Sequence, residues 1–274
     1  MATRVTFIGA GNMASAIIGG MIDSGFSPSA ITATSPSDAF LAPVHERYGI
    51  HTNTDNVAAV AQADVVVLAV KPQIMKEVCE GLAGVVQRQR PLIISVAAGL
   101  DAATLEAWLG GDLPLVRCMP NTPALVGAGA SGLCANARVS DEQRALATEL
   151  MEAVGLVEWV EEEHLLDAVT AVSGSGPAYF FLMFEAMEEA GVKLGLPADT
   201  ARRLAMQTAL GAAKMAMASD KSPAELKRNV MSPGGTTERA IEHLEAAELR
   251  RILAEAMDAC AARAREMAAE LGGR

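Results

Sequence analysis

The residues closest to chemistry in this chain are small ones. Gly9, Gly11 and Ala14 fill the three small positions of a G-x-G-x-x-G/A pattern in "FIGAGNMASAIIGG". In such a pattern the first glycine permits a tight turn, the second lets the backbone approach a pyrophosphate, and the third small residue allows close helix-to-strand packing. A helix starting there meets the phosphates with free N–H groups and its positive dipole end. A glycine-rich turn without nucleotide would carry the same letters, but an N-terminal strand before them and an apolar-periodic helix after them are the context a dinucleotide site needs. Near the other end, "NVMSPGGTTERAIEHLE" (Asn229 to Glu245) drops a Pro-Gly-Gly break between helical stretches, with two threonines behind it and no histidine, cysteine or paired carboxylate in the break. A helix start of this kind is an anion site without a cationic residue, or an ordinary N-cap with a glycine-rich entry.

Three further segments lie where a dinucleotide would extend. Enzymes that use NAD place an acid about 20 residues past the fingerprint to hold the ribose hydroxyls. Here no carboxylate stands between Asp23 and Asp38, and Ser35 and Ser37 offer hydrogen bonds to a 2′-phosphate instead. The same Ser-Pro-Ser also reads as a plain turn. "LAVKP" ends a buried strand and turns at Pro72, with Lys71 a general acid, a cofactor contact or simply an exposed lysine at a strand end. "RCMPNTPALVGAGASG" follows another strand with Pro120, Asn121 and Pro123. Ligands of open parallel sheets sit beyond the carboxyl ends of the strands, which sends both loops to one crevice.

The elements behind these residues change character along the chain. Over the first 160 residues short β-rich runs ("RVTFIGA", "AITATS", "ADVVVLAV", "RPLIISVAA", "LPLVRCM") alternate with amphipathic segments such as Asp101 to Leu109, which predicts βαβ units and a parallel sheet. From about Glu161 no strand candidate appears, and Ala/Met/Leu-rich helices are broken at "SGSGP", "GLP", "KSP" and "SPGG". The expectation is a dinucleotide-binding α/β domain over 1–160 and an all-helical domain over 161–274. Helices such as "ARRLAMQTALGAAKMAMA", apolar or small nearly all round, want more cover than a domain of that size supplies, and association with a second subunit would provide it.

At 274 residues and 51% hydrophobic content the chain can build a real core. A formal charge of -11 disfavours nucleic acid and anionic membranes as general partners. Cys79, Cys118, Cys134 and Cys260 show no CxxC spacing and, with the four histidines, no zinc-ligand arrangement, so no metal is expected and reduced thiols are. With no signal-peptide pattern and no apolar run long enough to cross a membrane, a soluble cytoplasmic protein is the expectation.

The set "GAGNMA", "AVKP", "RCMPNTPA", "SGSGPAY", "GLP" and "SPGGTTE", in that order over almost the whole chain, resembles pyrroline-5-carboxylate reductase, with "SPGGTT" its most specific segment. The resemblance implies a Rossmann-like N-terminal domain, a helical C-terminal domain that dimerises by intertwining, often with larger assemblies of dimers, and reduction of the cyclic imine 1-pyrroline-5-carboxylate to L-proline with NAD(P)H; the acid missing after the second strand makes NADPH the preferred donor. Carried over by motif, Ile8, Gly9, Ala10, Gly11, Asn12, Met13, Ser35, Asn56, Ala69, Val70, Lys71, Pro72, Val96, Ala97, Ala98 and Asn229 would line the cofactor site. Glu163, Ser232, Gly234, Gly235, Thr236 and Thr237 would meet substrate, with Thr237 catalytic. Met231 departs from the family, where a smaller residue is common before "SPGG". Two other readings compete. A β-hydroxyacid dehydrogenase would share the architecture, but its catalytic lysine follows a glycine-rich helix start soon after, and here none follows "SGSGPAYFF" until Lys193. A non-catalytic NADP-binding regulator would need no intact "SPGGTT".

Overall fold

The computed structural model describes residues 2–272; Met1, Gly273 and Arg274, at the outer ends of the two expected domains, lie outside them. Strand and helix alternate from the start: β1 (Val5–Ile8), α1 (Asn12–Asp23), β2 (Ile31–Thr34), α2 (Asp38–Tyr48), β3 (His51–Asn53), α3 (Asn56–Val60), β4 (Val65–Leu68), α4 (Pro72–Gln89), β5 (Leu92–Ser95), α5 (Ala102–Trp108) and β6 (Leu115–Met119). The chain continues through β7 (Gly129–Ala135), α6 (Asp141–Glu152), β8 (Gly155–Trp159) and α7 (Leu165–Val169). The sheet runs β3-β2-β1-β4-β5-β6-β7-β8. β1, β4 and β5 are buried at every position because helices cover both faces, which is why they read as unbroken apolar runs.

The expected parallel sheet is corrected at one seam: β7 runs antiparallel to β6, and β8 returns parallel to β7. Three strands escape the sequence patterns. β3 is only "HTN", largely exposed on an edge, and β7, "GASGLCA", is built of small residues. Close packing explains that choice, since a Cβ on Gly132 would sit 2.5 Å from the Val169 side chain and one on Gly155, at the start of β8 with φ +148, would sit 2.0 Å from the Gly129 carbonyl.

Beyond α7 a π-helical turn (Thr170–Gly174) leads to α8 (Gly176–Lys193), α9 (Ala198–Met217), α10 (Pro223–Asn229), α11 (Thr236–Ala246) and α12 (Leu249–Gly272). Compactness and composition divide the chain differently. One compact unit holds residues up to Ser175 together with the end of α12 from Ala259, and the other holds Gly176–Asp258. The π-helical turn stays with the sheet unit because Asn121 Nδ2 donates to the Ser173 carbonyl at 3.0 Å. At the chain's end, Met267 and Leu271 of α12 pack on Gly99, where an added Cβ would meet each at 3.3 Å.

The helical unit has hardly any interior of its own. Among the described residues its buried positions are Gly176, Ala201 and Ala205, while Phe180, Phe181, Leu182 and Met217 stand 62 to 84% exposed. Gly191 lets α8 approach α9, a Cβ there lying 2.9 Å from Ala201, and Glu188 clasps Arg202 through two bonds of 2.6 and 2.7 Å. No helix among the described residues is long and apolar enough to cross a membrane.

Candidate active site

Sheet register assembles the first half of the site. Ile8 pairs with Thr34 on one side and with Leu68 on the other, and Leu68 pairs with Ser95. The residues that follow, Gly9, Ser35, Ala69 and Val96, therefore leave four neighbouring strands at one level. Backbone bonds stitch them: Gly9 N to Thr34 O at 3.1 Å, Ala69 N to Ile8 O at 2.9 Å and Val96 N to Leu68 O at 3.1 Å. β1 lies between β2 and β4, so connections diverge at its carboxyl end and open the crevice where such sheets bind ligands.

The glycines of the fingerprint have separable reasons. Gly9 takes φ +105, and a Cβ there would sit 2.8 Å from the Ala69 carbonyl, so no other residue fits between the two strand ends. Gly11, the N-cap of α1, is different: no protein atom lies within 4 Å of where its Cβ would be and no side chain caps the helix. No contact among the described residues demands glycine at Gly11; in the fingerprint this is the position that lets a pyrophosphate approach the backbone. Ala14 is buried under the sheet, as the third small position requires.

Beside this turn lies a cavity of about 600 Å³ whose lining includes Ile8, Gly9, Ser35, Asn56 and Val70, within the range of ordinary ligand pockets. It brings five of the sequence-expected cofactor residues together. Asp55 and Glu77 also line it, and no lysine or arginine among the described residues does. Asp55 Oδ1 accepts from Val57 N at 2.8 Å and Ala58 N at 3.1 Å, capping α3. Ser37 caps α2 by accepting from Ala39 N. Lys71 is exposed and forms the N-cap of α4 ahead of Pro72.

Glu163 has a definite local task. Its Oε1 accepts from the backbone N of Ala102 at 2.6 Å and from Arg117 Nη1 at 2.9 Å. One carboxylate oxygen thus ties the start of α5, just after the loop that carries Val96, Ala97 and Ala98, to β6. Sequence reading singled out neither Arg117 nor Asn121 as an anchor. Asn121 Oδ1 accepts from Ala130 N at 2.8 Å while its amide holds the turn at Ser173, so one buried side chain binds "PNTP" to "SGSGP". The turn residues around Asn121 marked a loop, but no local signal announces partners 9 and 52 positions away.

Asn229, Ser232 and Gly234 to Thr237 belong to the helical unit. Asn229 ends α10. Gly235 is the N-cap of α11 and no side chain caps it, so of the two readings of this break the ordinary side-chain N-cap is not what forms. Gly235 N donates to Ser232 O at 2.8 Å, and Gly234 N donates to the Glu238 carboxylate at 2.6 Å. The amides of Thr236 and Thr237 in the first helical turn are left for solvent or ligand. No group of three or more histidine, cysteine or carboxylate side chains able to hold a metal occurs among the described residues.

Comparison with known proteins agrees with these motifs. The family model described as pyrroline-5-carboxylate reductase dimerisation matches residues 163–267, and the one described as NADP oxidoreductase coenzyme F420-dependent matches residues 4–99. The chain is 52% identical to the pyrroline-5-carboxylate reductase of Pseudomonas aeruginosa over 98% of each chain. It superposes on a pyrroline-5-carboxylate reductase structure from Coxiella burnetii with a TM-score of 0.94 at 46% identity, covering 97% of this chain and 99% of the other. The Plasmodium falciparum pyrroline carboxylate reductase, solved with NADP bound, aligns at a TM-score of 0.85 and 29% identity over 97% and 98% of the two chains. With a dinucleotide turn in one unit, a Gly-Gly-Thr-Thr helix start in the other and more than half its residues shared with a curated relative over nearly its whole length, the chain belongs to the pyrroline-5-carboxylate reductase family.

Proposed function

We infer that this chain reduces the cyclic imine 1-pyrroline-5-carboxylate to L-proline, the final step of proline biosynthesis, with hydride from a nicotinamide dinucleotide. The observation that carries the reading beyond membership is the start of α11, where two glycines precede Thr236 and Thr237 and no side chain caps the helix, so the first-turn amides lack an intrahelical acceptor. A small carboxylate is held by such amides without a cation. The dinucleotide supplies the hydride when bound, and the chain supplies placement. Gly9 and Gly11 open the phosphate turn, Ser35 and Asn56 line the cavity beside it, and Val96 to Ala98 would line the cofactor site. Ser232, Gly234, Gly235, Thr236 and Thr237 grip the substrate, and Glu163 is assigned to substrate by its place in the family pattern. The Thr237 hydroxyl donates to the ring nitrogen of the unprotonated imine and assists its protonation, and once the nitrogen is protonated the adjacent ring carbon is electrophilic towards hydride. Orientation does most of the work in such a site.

We assign NADPH as the preferred donor, on the missing acid after β2 and the nearly buried Ser35 hydroxyl. The protein works as a homo-oligomer. The exposed apolar face of α9 supports an obligate dimer formed through residues after about Gly191, and Phe180, Phe181 and Leu182 of α8 carry exposed apolar surface upstream of that bound. The four thiols, none in a disulfide, suit a cytoplasmic setting.

Loss of NADPH absorbance on adding pyrroline-5-carboxylate tests the activity, with a 3-hydroxy acid plus NADP as counter-test for a dehydrogenase. Thr237→Val tests the assignment: turnover should fall toward the low end of the roughly 10²- to 10⁴-fold range of acid assistance. The NADPH dissociation constant should stay put and the loss should grow at higher pH, where less free substrate is protonated. Wild-type turnover across that range would reduce Thr237 to a helix-start residue.

A further inference from the structure

The break at "SPGG" is a four-residue turn. Gly235 N donates to Ser232 O at 2.8 Å, Pro233 stands second, and Gly234, third, takes φ +70. A proline followed by a positive-φ glycine is the composition of a type II turn. Type I and type II turns differ by a flip of the peptide between their second and third residues, here Pro233–Gly234. The N–H of that peptide is the Gly234 N–H, and it donates to Glu238 Oε2 at 2.6 Å. Glu238 is the third residue of α11, the position from which a capping-box glutamate reaches back to the N-cap amide. Here the N-cap amide is already engaged with Ser232, and the carboxylate reaches one residue further.

We propose that Glu238 is a positioning residue of the substrate loop: by accepting from Gly234 N it fixes the central peptide of the turn, and so the direction in which the Thr236 and Thr237 amides and hydroxyls point. This rests on the placement of substrate at α11 given above. The side chain has two effects of opposite sign. As an acceptor it organises the turn. As a charge beside a helix start that must hold a carboxylate, it opposes substrate.

Three variants separate these effects, assayed on the full-length oligomer by NADPH absorbance. Glu238→Ala frees the peptide and should raise the KM for pyrroline-5-carboxylate roughly five- to tenfold, the scale of one exposed charge-assisted hydrogen bond, with the KM for NADPH unchanged. Glu238→Gln keeps an acceptor, removes the charge and should return the substrate KM to the wild-type value or below. Gly234→Ala has no protein atom within 4 Å of the new methyl, so it strains the turn through φ alone and should mimic Glu238→Ala without unfolding the chain. A wild-type KM in Glu238→Ala, a Gln variant as impaired as Ala, or an NADPH KM that rises in parallel would overturn the proposal. Thr237→Val beside them tells the two failures apart. If Thr237→Val is impaired and Glu238→Ala is not, only the role of Glu238 falls; if neither has any effect, the placement of substrate at α11 falls with it.

Discussion

Replacing Glu163 with alanine perturbs both stability and cofactor binding, by amounts the geometry sets. The change removes the acceptor of Ala102 N at 2.6 Å and of Arg117 Nη1 at 2.9 Å. The Arg117 side chain is 14% exposed and that of Glu163 35%, so the pair is neither a surface ion pair nor a buried one. Exposed pairs contribute about 0–1 kcal/mol, while breaking a buried pair costs about 3–5 kcal/mol by stranding the remaining charge. With one partner well covered and the other a third open to solvent, about 2–3 kcal/mol is expected, the orphaned N–H at the start of α5 included. Urea denaturation at fixed protein concentration measures it, because an oligomer's stability depends on that concentration. The same loss should loosen the segment from Val96 to Asp101 and raise the NADPH KM several-fold, whereas Glu163→Gln, which retains an acceptor oxygen, should lose less than half as much stability. A stability change below about 0.5 kcal/mol, the scale of an unimportant surface substitution, would refute the reasoning. So would unchanged stability with a higher KM for pyrroline-5-carboxylate alone, which would make Glu163 a substrate contact and nothing more.

Ser35→Asp should repel a 2′-phosphate and raise the NADPH KM selectively; equal effects on NADH and NADPH would take Ser35 out of the phosphate site. Light scattering on the intact chain should never report a stable monomer, and a folded monomer at micromolar concentration would contradict the reading of α8 and α9. Burial pushes the thiols of Cys79 and Cys118 up to about 12 from an ordinary 9.0, and raises Cys134 as well. The native chain therefore keeps protons that the unfolded chain releases above pH 9, so this contribution to stability is full below pH 9 and is lost between 9 and about 12. The fall in stability above pH 9 should be shallower when Cys79 or Cys118 is replaced with alanine, as alkaline unfolding would measure. A thiol reagent at pH 8 should modify no more than one of the four cysteines until denaturant is added.

The dinucleotide half was legible because its constraints are local. A tight turn at Gly9, an open approach at Gly11 and a packed Ala14 each demand a residue type at a fixed spacing, and the flanking strand and helix announce themselves by period. The start of α11 was legible as a helix start for the same reason. Its cap was not, because Glu238 reaches over the N-cap to Gly234, a contact no propensity scale contains. β3, β7 and β8 were missed since the first is three polar residues on an edge and the second trades β-branched side chains for glycine and serine so that backbones can touch. Long-range anchors such as Arg117 and Asn121 depend on which loops meet, and that follows from topology. The divided assignment of α12 is of the same kind: a uniform helix by composition, it finishes in the unit where the chain began.

That last contact bears on how the chain is made. Met267 and Leu271 close over Gly99, and Leu271 packs against the apolar cluster that contains Leu100, Leu105 and Leu115. The nucleotide-binding unit thus waits for residues synthesised about 170 positions after Gly99, and while they are still inside the ribosome its lower cluster has one face uncovered. Closing so long a loop is slow, so vectorial folding cannot finish this unit domain by domain. A truncation or a bulky fusion at the carboxyl end, far in sequence from any fingerprint glycine, should therefore weaken NADPH binding before it disturbs the helices that precede it.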